Sequence, residues 1–176
     1  MGKIRKTFLI MIGTVLVWSH LPYHYNNEKV AVYATTLAAG SSRWMWAWYV
    51  FKAMWRGGWP IGLIPAYAYE KTLPQMGFNE IPTNGYRPMI GDISVLPQNE
   101  KSHFGHIAVW NGKLWVSDFR QNSIYPGSAY RKNGGFKVFR AKDGWHWKHV
   151  WTSPVDWYSW IESFVRGYDK IKFWWH

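Results

Sequence analysis

The segment SSRWMWAWYVFKAMWRGG, residues 41–58, constrains the fold more than any other part of this chain. Trp46, Val50, Ala53 and Gly57 recur in it at helical spacing, so they form one apolar face of a helix. An amphipathic helix of this kind buries its apolar face against a core. The sequence therefore predicts a core helix that ends at the Gly57–Gly58 pair.

The segments around that helix change character along the chain. Residues 29–40 predict a short helix that ends at Gly40, and Ser41 or Ser42 is then expected to cap the next helix. Residues 63–78 predict a helix broken by two prolines. Strands are predicted at residues 93–96, 106–110, 113–119 and 136–141, with a hairpin turn at 111–113. Helices followed by an antiparallel meander predict an α+β domain, with the N-terminal helices packed on the sheet.

Composition narrows the chemistry that the chain can perform. The 176 residues include 15 Trp and no Cys, and the formal net charge is +11. Without cysteine, disulfides, thiolate metal sites and a thiol nucleophile are excluded. The positive charge favours anionic partners such as acidic envelope polymers or a membrane surface. No nucleic-acid motif is present, no histidine spacing indicates a metal site, and no cofactor is expected.

The two ends of the chain differ from its middle. Residues 1–22 place three cations before the apolar run 8–18, which predicts a signal peptide or an uncleaved membrane anchor; a buried first helix is the alternative. Residues 141–176 form a basic, aromatic extension with a predicted helix over 153–168. That helix is expected to pack on the domain, and the alternative is a surface for envelope or lipid contact. The expected location is exported, in the periplasm or cell envelope.

Three motifs then follow in a fixed order: WAWYV at the start of the core helix, RPMIGDISVL at 87–96, and GHIAVWNGKLWVSDF at 105–119. This order resembles the CHAP family, the cysteine- and histidine-dependent amidohydrolases and peptidases of papain-like fold, and their NlpC-like relatives. The resemblance covers residues 27–140. It implies a papain-like domain that acts on amide bonds of peptidoglycan peptides, as in phage lysins, wall hydrolases and interbacterial toxins. A toxin would also have an immunity protein as partner.

The resemblance assigns residues to a Cys-His mechanism. Trp46 stands at the nucleophile position, where the family has cysteine, and indole has no nucleophilic heteroatom. His106 is the expected base. Asp118 is the expected orienting residue, with Gln121 as the alternative and a plain turn as the other reading of Asp118.

Further residues follow from the same resemblance. Trp48, Tyr49 and Gln121 are the expected substrate-binding residues, and Asp92 is expected to be a structural turn residue. The implied function is a peptidoglycan-hydrolase-like domain that is inactive as written. The alternative is a non-catalytic peptidoglycan- or membrane-binding protein of the cell envelope.

Overall fold

A computed structural model describes residues 23–43, 45–59, 61–100 and 102–146 of the chain. The helices are α1 (Asn27–Leu37), α2 (Trp46–Arg56), a 3-10 turn (Ala66–Ala68), α3 (Tyr69–Gln75) and α4 (Ser128–Asn133). The strands are β1 (Tyr23–Tyr25), β2 (Asn79–Ile81), β3 (Ile93–Leu96), β4 (His106–Trp110), β5 (Trp115–Val116), β6 (Arg120–Gln121), β7 (Lys137–Arg140) and β8 (Gly144–His146). The expected α+β class is confirmed.

The main sheet, as far as the described residues define it, has six strands in the order β2-β7-β3-β4-β5-β6, antiparallel throughout. The central strands β3 and β4 match the predicted bounds. All their residues except the half-buried Trp110 are buried, because helices cover this part of the sheet. The predicted turn at 111–113 is also confirmed, with Gly112 at a φ of 95°. The predicted strand 113–119 is shorter, because the backbone turns where the Ser117 N–H donates to the Phe119 carbonyl, 3.0 Å away.

Helix α2 lies against both α1 and β4. Its predicted face is confirmed, since Trp46, Val50, Ala53 and Gly57 are all buried. Gly57 lets the two helices approach closely: a β-carbon there would overlap with the side chain of Val30. At its other end, the first residue of α2, Trp46, packs against His106, the first residue of β4.

The predicted bounds of the first helix are wrong at both ends. Helix α1 begins earlier because Asn26 caps it, its side-chain oxygen lying 2.7 Å from the Lys29 backbone nitrogen. It ends at Leu37, three residues before Gly40. The chain leaves the helix there because the Ala39 N–H donates to the Asp118 carbonyl at 2.8 Å and joins the sheet edge.

The predicted serine cap of α2 is also wrong. The residue before the helix is Met45, and its side chain makes no capping hydrogen bond to the helix. Ser42 instead donates its hydroxyl to Asp118 Oδ2, at 3.2 Å. The loop that precedes α2 is therefore anchored by Asp118, from the turn between β5 and β6.

Strand β1 pairs with β8, so residues 23–26 and 141–146 belong to the folded part of the chain on either side of the predicted 27–140 domain. Tyr25 reaches the core, where its ring lies 4.9 Å from Trp59 and 5.5 Å from Phe78. The predicted leader at 1–22 and the predicted helix at 153–168 lie outside the described residues. None of the helices within the described ranges is long and apolar enough to cross a membrane.

Candidate active site

His106 begins strand β4, and the glycine before it allows the backbone to pass close to the neighbouring strand. Gly105 has a φ of 69°, and a β-carbon there would overlap with the Leu96 carbonyl oxygen. The Gly105 carbonyl accepts from Tyr130 at 2.7 Å and from Ser102 at 3.1 Å. These contacts fix the start of the strand, and the imidazole of His106 is buried within it.

Trp46 begins helix α2 and faces His106. The two ring centroids lie 5.4 Å apart with the planes tilted by 50°. The indole is 8% exposed, so it fills the space beside the imidazole. The two positions that the sequence assigned to nucleophile and base are thus brought into contact from segments 60 residues apart.

Gln121, on strand β6, is the residue that hydrogen-bonds His106. Its Nε2 lies 2.8 Å from Nε2 of the imidazole and 2.8 Å from the hydroxyl of Ser117. All three side chains are buried. The alternative orienting residue considered from the sequence is therefore the one that touches the histidine.

Among the hydrogen bonds of the described residues, none joins Asp118, the expected orienting residue, directly to His106. Asp118 Oδ2 accepts from the backbone nitrogens of Arg43 and Met45, at 2.5 and 3.3 Å, and from Ser42. Its Oδ1 accepts from Ser117 at 3.1 Å. Asp118 lies at the turn after β5, and its side chain points toward the loop before α2. Hydrogen bonds connect it to His106 through Ser117 and Gln121.

The environment keeps His106 neutral at physiological pH. Burial lowers the pKa of His106 to about 4, and the negative charge of Asp118 acts against that shift. A neutral imidazole has one nitrogen that can accept a proton, which is the form a general base needs.

Trp48 and Tyr49, the other expected substrate-binding residues, lie on the outer side of α2. The Trp48 ring stacks on Phe51 with centroids 5.5 Å apart and is 38% exposed. Tyr49 accepts from the Arg43 guanidinium at 3.3 Å. Among the contacts of the described residues, none joins either side chain to His106 or Gln121.

Sequence reasoning missed a cleft of about 430 Å³ beside Gln121. Residues 119–128, except Ile124, and Arg131 line it, so the loop after β6 and helix α4 form its walls. Its side chains include hydroxyls, amides and arginines, and no carboxylate lines it. Phe119 and Tyr130, whose rings lie 6.4 and 5.8 Å from the His106 ring, were also missed, because nothing in their local sequence distinguishes them. The described residues hold no cluster of three or more potential metal ligands.

The chain is similar to a structure of the type VI native effector–immunity complex Tae3–Tai3 from Ralstonia pickettii, with 33% identity and a TM-score of 0.62 over 67% of this chain and 100% of the other. A selenomethionine form of that complex matches with 33% identity and a TM-score of 0.58, over 63% and 98%. The chain belongs to the Tae3 family of type VI effectors. No protein-family model and no curated protein matches it.

Proposed function

We propose that this chain is a type VI effector domain of papain-like, CHAP- or NlpC-like architecture, built to cut amide bonds of peptidoglycan peptides in the periplasm of a target cell. The observation that carries the proposal is the contact between Trp46, at the start of a helix, and His106, at the start of a strand. Membership of the Tae3 family supports the effector role.

The position of residue 46 suits a cysteine nucleophile. The first turn of a helix has free N–H groups and the positive end of the helix dipole, and both stabilise a thiolate. With Cys there, the sulfur would attack the amide carbon while His106 takes the thiol proton. The histidine would then give that proton to the leaving amine, and water would hydrolyse the thioester.

Trp46 removes this chemistry from the chain as written. Its indole N–H can only donate a hydrogen bond, and its ring occupies the space beside His106 that a substrate carbonyl would need. The proposed hydrolase is therefore inactive in this form.

The cleft beside Gln121 is the proposed place for the substrate peptide. It is adjacent to the His106–Gln121 pair and has arginines at positions 120 and 131 with no lining carboxylate. Peptides with free carboxylates suit such a surface. The net charge of +11 supports the same anionic partner. An immunity protein is the proposed protein partner.

The decisive experiment compares the unmodified protein with its Trp46→Cys and Trp46→Ala variants on purified Gram-negative sacculi. We expect only the cysteine variant to release fragments, and mass spectrometry would identify the bond that is cut. Trp46→Ala is the matched control, because it opens the same space without adding a thiol. Adding His106→Gln to the cysteine variant should abolish release.

Removing the indole costs about 3–5 kcal/mol of stability, so circular dichroism must first show that each variant is folded. A folded Trp46→Cys protein that releases nothing would contradict the proposed hydrolase.

A second candidate is non-catalytic binding of peptidoglycan. It is favoured by the aromatic row on the outer face of α2, where Phe51 contacts both Trp48 and Trp55. Lys52 Nζ lies 5.5 Å from the Trp48 ring centroid. Exposed aromatic rings are suited to stacking on sugars. Sedimentation with sacculi that is lost in Trp48→Ala, with no cleavage by the cysteine variant, would support this candidate.

A further inference from the structure

A buried chain of hydrogen bonds connects His106 to the loop before α2. From the histidine, Gln121 Nε2 lies 2.8 Å from the imidazole and 2.8 Å from Ser117 Oγ. Ser117 Oγ lies 3.1 Å from Asp118 Oδ1. The other Asp118 oxygen holds the backbone N–H groups of Arg43 and Met45. One polar chain thus links the base to the backbone that presents position 46.

The direction of each hydrogen bond in this series follows from the Asp118 carboxylate, at the end opposite His106. A carboxylate only accepts, so Ser117 must donate its single hydroxyl proton to Asp118. Its oxygen can then only accept from Gln121, so the amide NH₂ group faces it. The second N–H of that group points at His106 Nε2, which must therefore be the nitrogen without a proton.

The opposite orientation of the Gln121 amide satisfies fewer groups. As it stands, one acceptor, Oε1, is buried with no partner in the described structure. Rotating the amide by 180° would place two N–H donors where the unpartnered Oε1 now lies. Oε1 would then face Ser117, whose hydroxyl would have to donate to it and no longer to Asp118. Buried donors and acceptors without partners each cost free energy, so the observed orientation is preferred.

We propose that Ser117 is a positioning residue, which orients the Gln121 amide and thereby places the proton of the neutral His106 ring on Nδ1. In this resting state Nε2 is occupied by the Gln121 N–H and Nδ1 already carries a proton. The imidazole then has no free acceptor nitrogen until the amide rotates. The significance for catalysis rests on the proposed function, whereas the protonation state of the ring does not.

The test is nitrogen-15 NMR of the histidine rings in the unmodified protein at pH 7, with His106 assigned by loss of its signals in His106→Asn. Long-range proton–nitrogen spectra distinguish a protonated ring nitrogen from an unprotonated one. We expect His106 to show a protonated Nδ1 and an unprotonated Nε2. The Nε2-protonated form in the unmodified protein would overturn the proposal, whatever the activity on sacculi.

Two variants then test the role of the hydrogen bonds from Ser117 to Gln121 and from Gln121 to His106. Ser117→Ala frees the amide to rotate, so the Nε2-protonated form should appear, and Gln121→Glu should make it dominant because a carboxylate only accepts. Ser94→Ala is the matched control: it also removes a buried hydroxyl, one bonded to the Ala108 carbonyl at 3.4 Å, and should leave the His106 signals unchanged. Retention of the Nδ1-protonated form alone in folded Ser117→Ala would rule out the role of Ser117.

Discussion

Among the described residues, two aspartates are fully buried, and they are held in opposite ways. Asp92 faces a cation: Arg140 Nε lies 2.6 Å from Oδ1, and Nη2 lies 2.7 Å from Oδ2. The Tyr86 hydroxyl and the Met89 backbone N–H complete its donors, at 2.6 and 2.9 Å. This bidentate pair neutralises the carboxylate and closes the turn before β3, which is the structural role expected from the sequence.

Asp118 is instead held by hydroxyl and backbone N–H groups. The Arg43 backbone donates to it while the guanidinium of the same residue donates to Tyr49. Within the described residues, no cationic side chain hydrogen-bonds or forms an ion pair with Asp118. Its charge therefore acts on His106, whose pKa it raises against the effect of burial. The comparison indicates that a buried charge with a cationic partner supports the fold, whereas one without such a partner adjusts the candidate site.

The largest effect is expected where the ion pair is broken. Asp92→Asn removes the charge that partners Arg140, and we expect it to lower the free energy of unfolding by about 4 kcal/mol. Urea denaturation measures this loss. Glu80→Gln is the control, because it breaks an exposed pair with Lys137 and should cost less than about 0.5 kcal/mol. Equal losses in the two variants would show that burial of the Asp92 pair does not matter.

The second effect is a pH dependence of stability, and it comes from His106, the residue on which the charge of Asp118 acts. His106 has a folded pKa of about 4 against an ordinary value of 6.5, so between these values the unfolded chain binds the extra proton. Stability from this group is fully present above pH 6.5 and is lost as pH falls toward 4, by about 3 kcal/mol in total.

Denaturation from pH 7 to pH 4 tests this expectation. His106→Gln should lose that part of the slope, whereas Tyr86→Phe, on the Asp92 side, should keep it. An unchanged slope in His106→Gln would assign the acid sensitivity to other groups.

The smallest effect on stability is expected for Asp118→Asn, which allows a direct comparison of Asp118 with Asp92. Asp118→Asn weakens the hydrogen bonds to the loop before α2 and should cost about 2 kcal/mol. It should also move the His106 titration to lower pH, because the charge that raises the pKa is removed. NMR titration follows that shift, and the Ser42→Ala variant is the control that loses one donor and keeps the charge. A titration that stays in place would mean that Asp118 does not act on His106.

The site residues proposed from the sequence lie in distinctive local patterns. The resemblance to the CHAP family assigned the base to His106 through GHIAVW and the nucleophile position to Trp46 through WAWYV, and the structure places these two side chains beside each other. Gln121 remained an alternative, and Ser117 was not considered. Their roles depend on the turn at 117–119, which directs Asp118 to the loop and Gln121 to the imidazole.

The short strands β1, β2 and β8 were missed for a similar reason. Each has three residues, too few to show a period. They form because a distant strand supplies the hydrogen bonds: β1 pairs with β8, and β2 pairs with β7. Pairing of this kind is a property of the folded chain.

The sequence by itself determined the class of fold, the core face of α2, the two central strands and the absence of a thiol. These properties follow from residue type and spacing, which local physics converts into helices, strands and available chemistry. Only the tertiary structure decided which buried carboxylate meets a cation and which side chain touches the histidine. Those choices depend on contacts between segments tens of residues apart, where the competition for hydrogen-bond donors is settled by geometry.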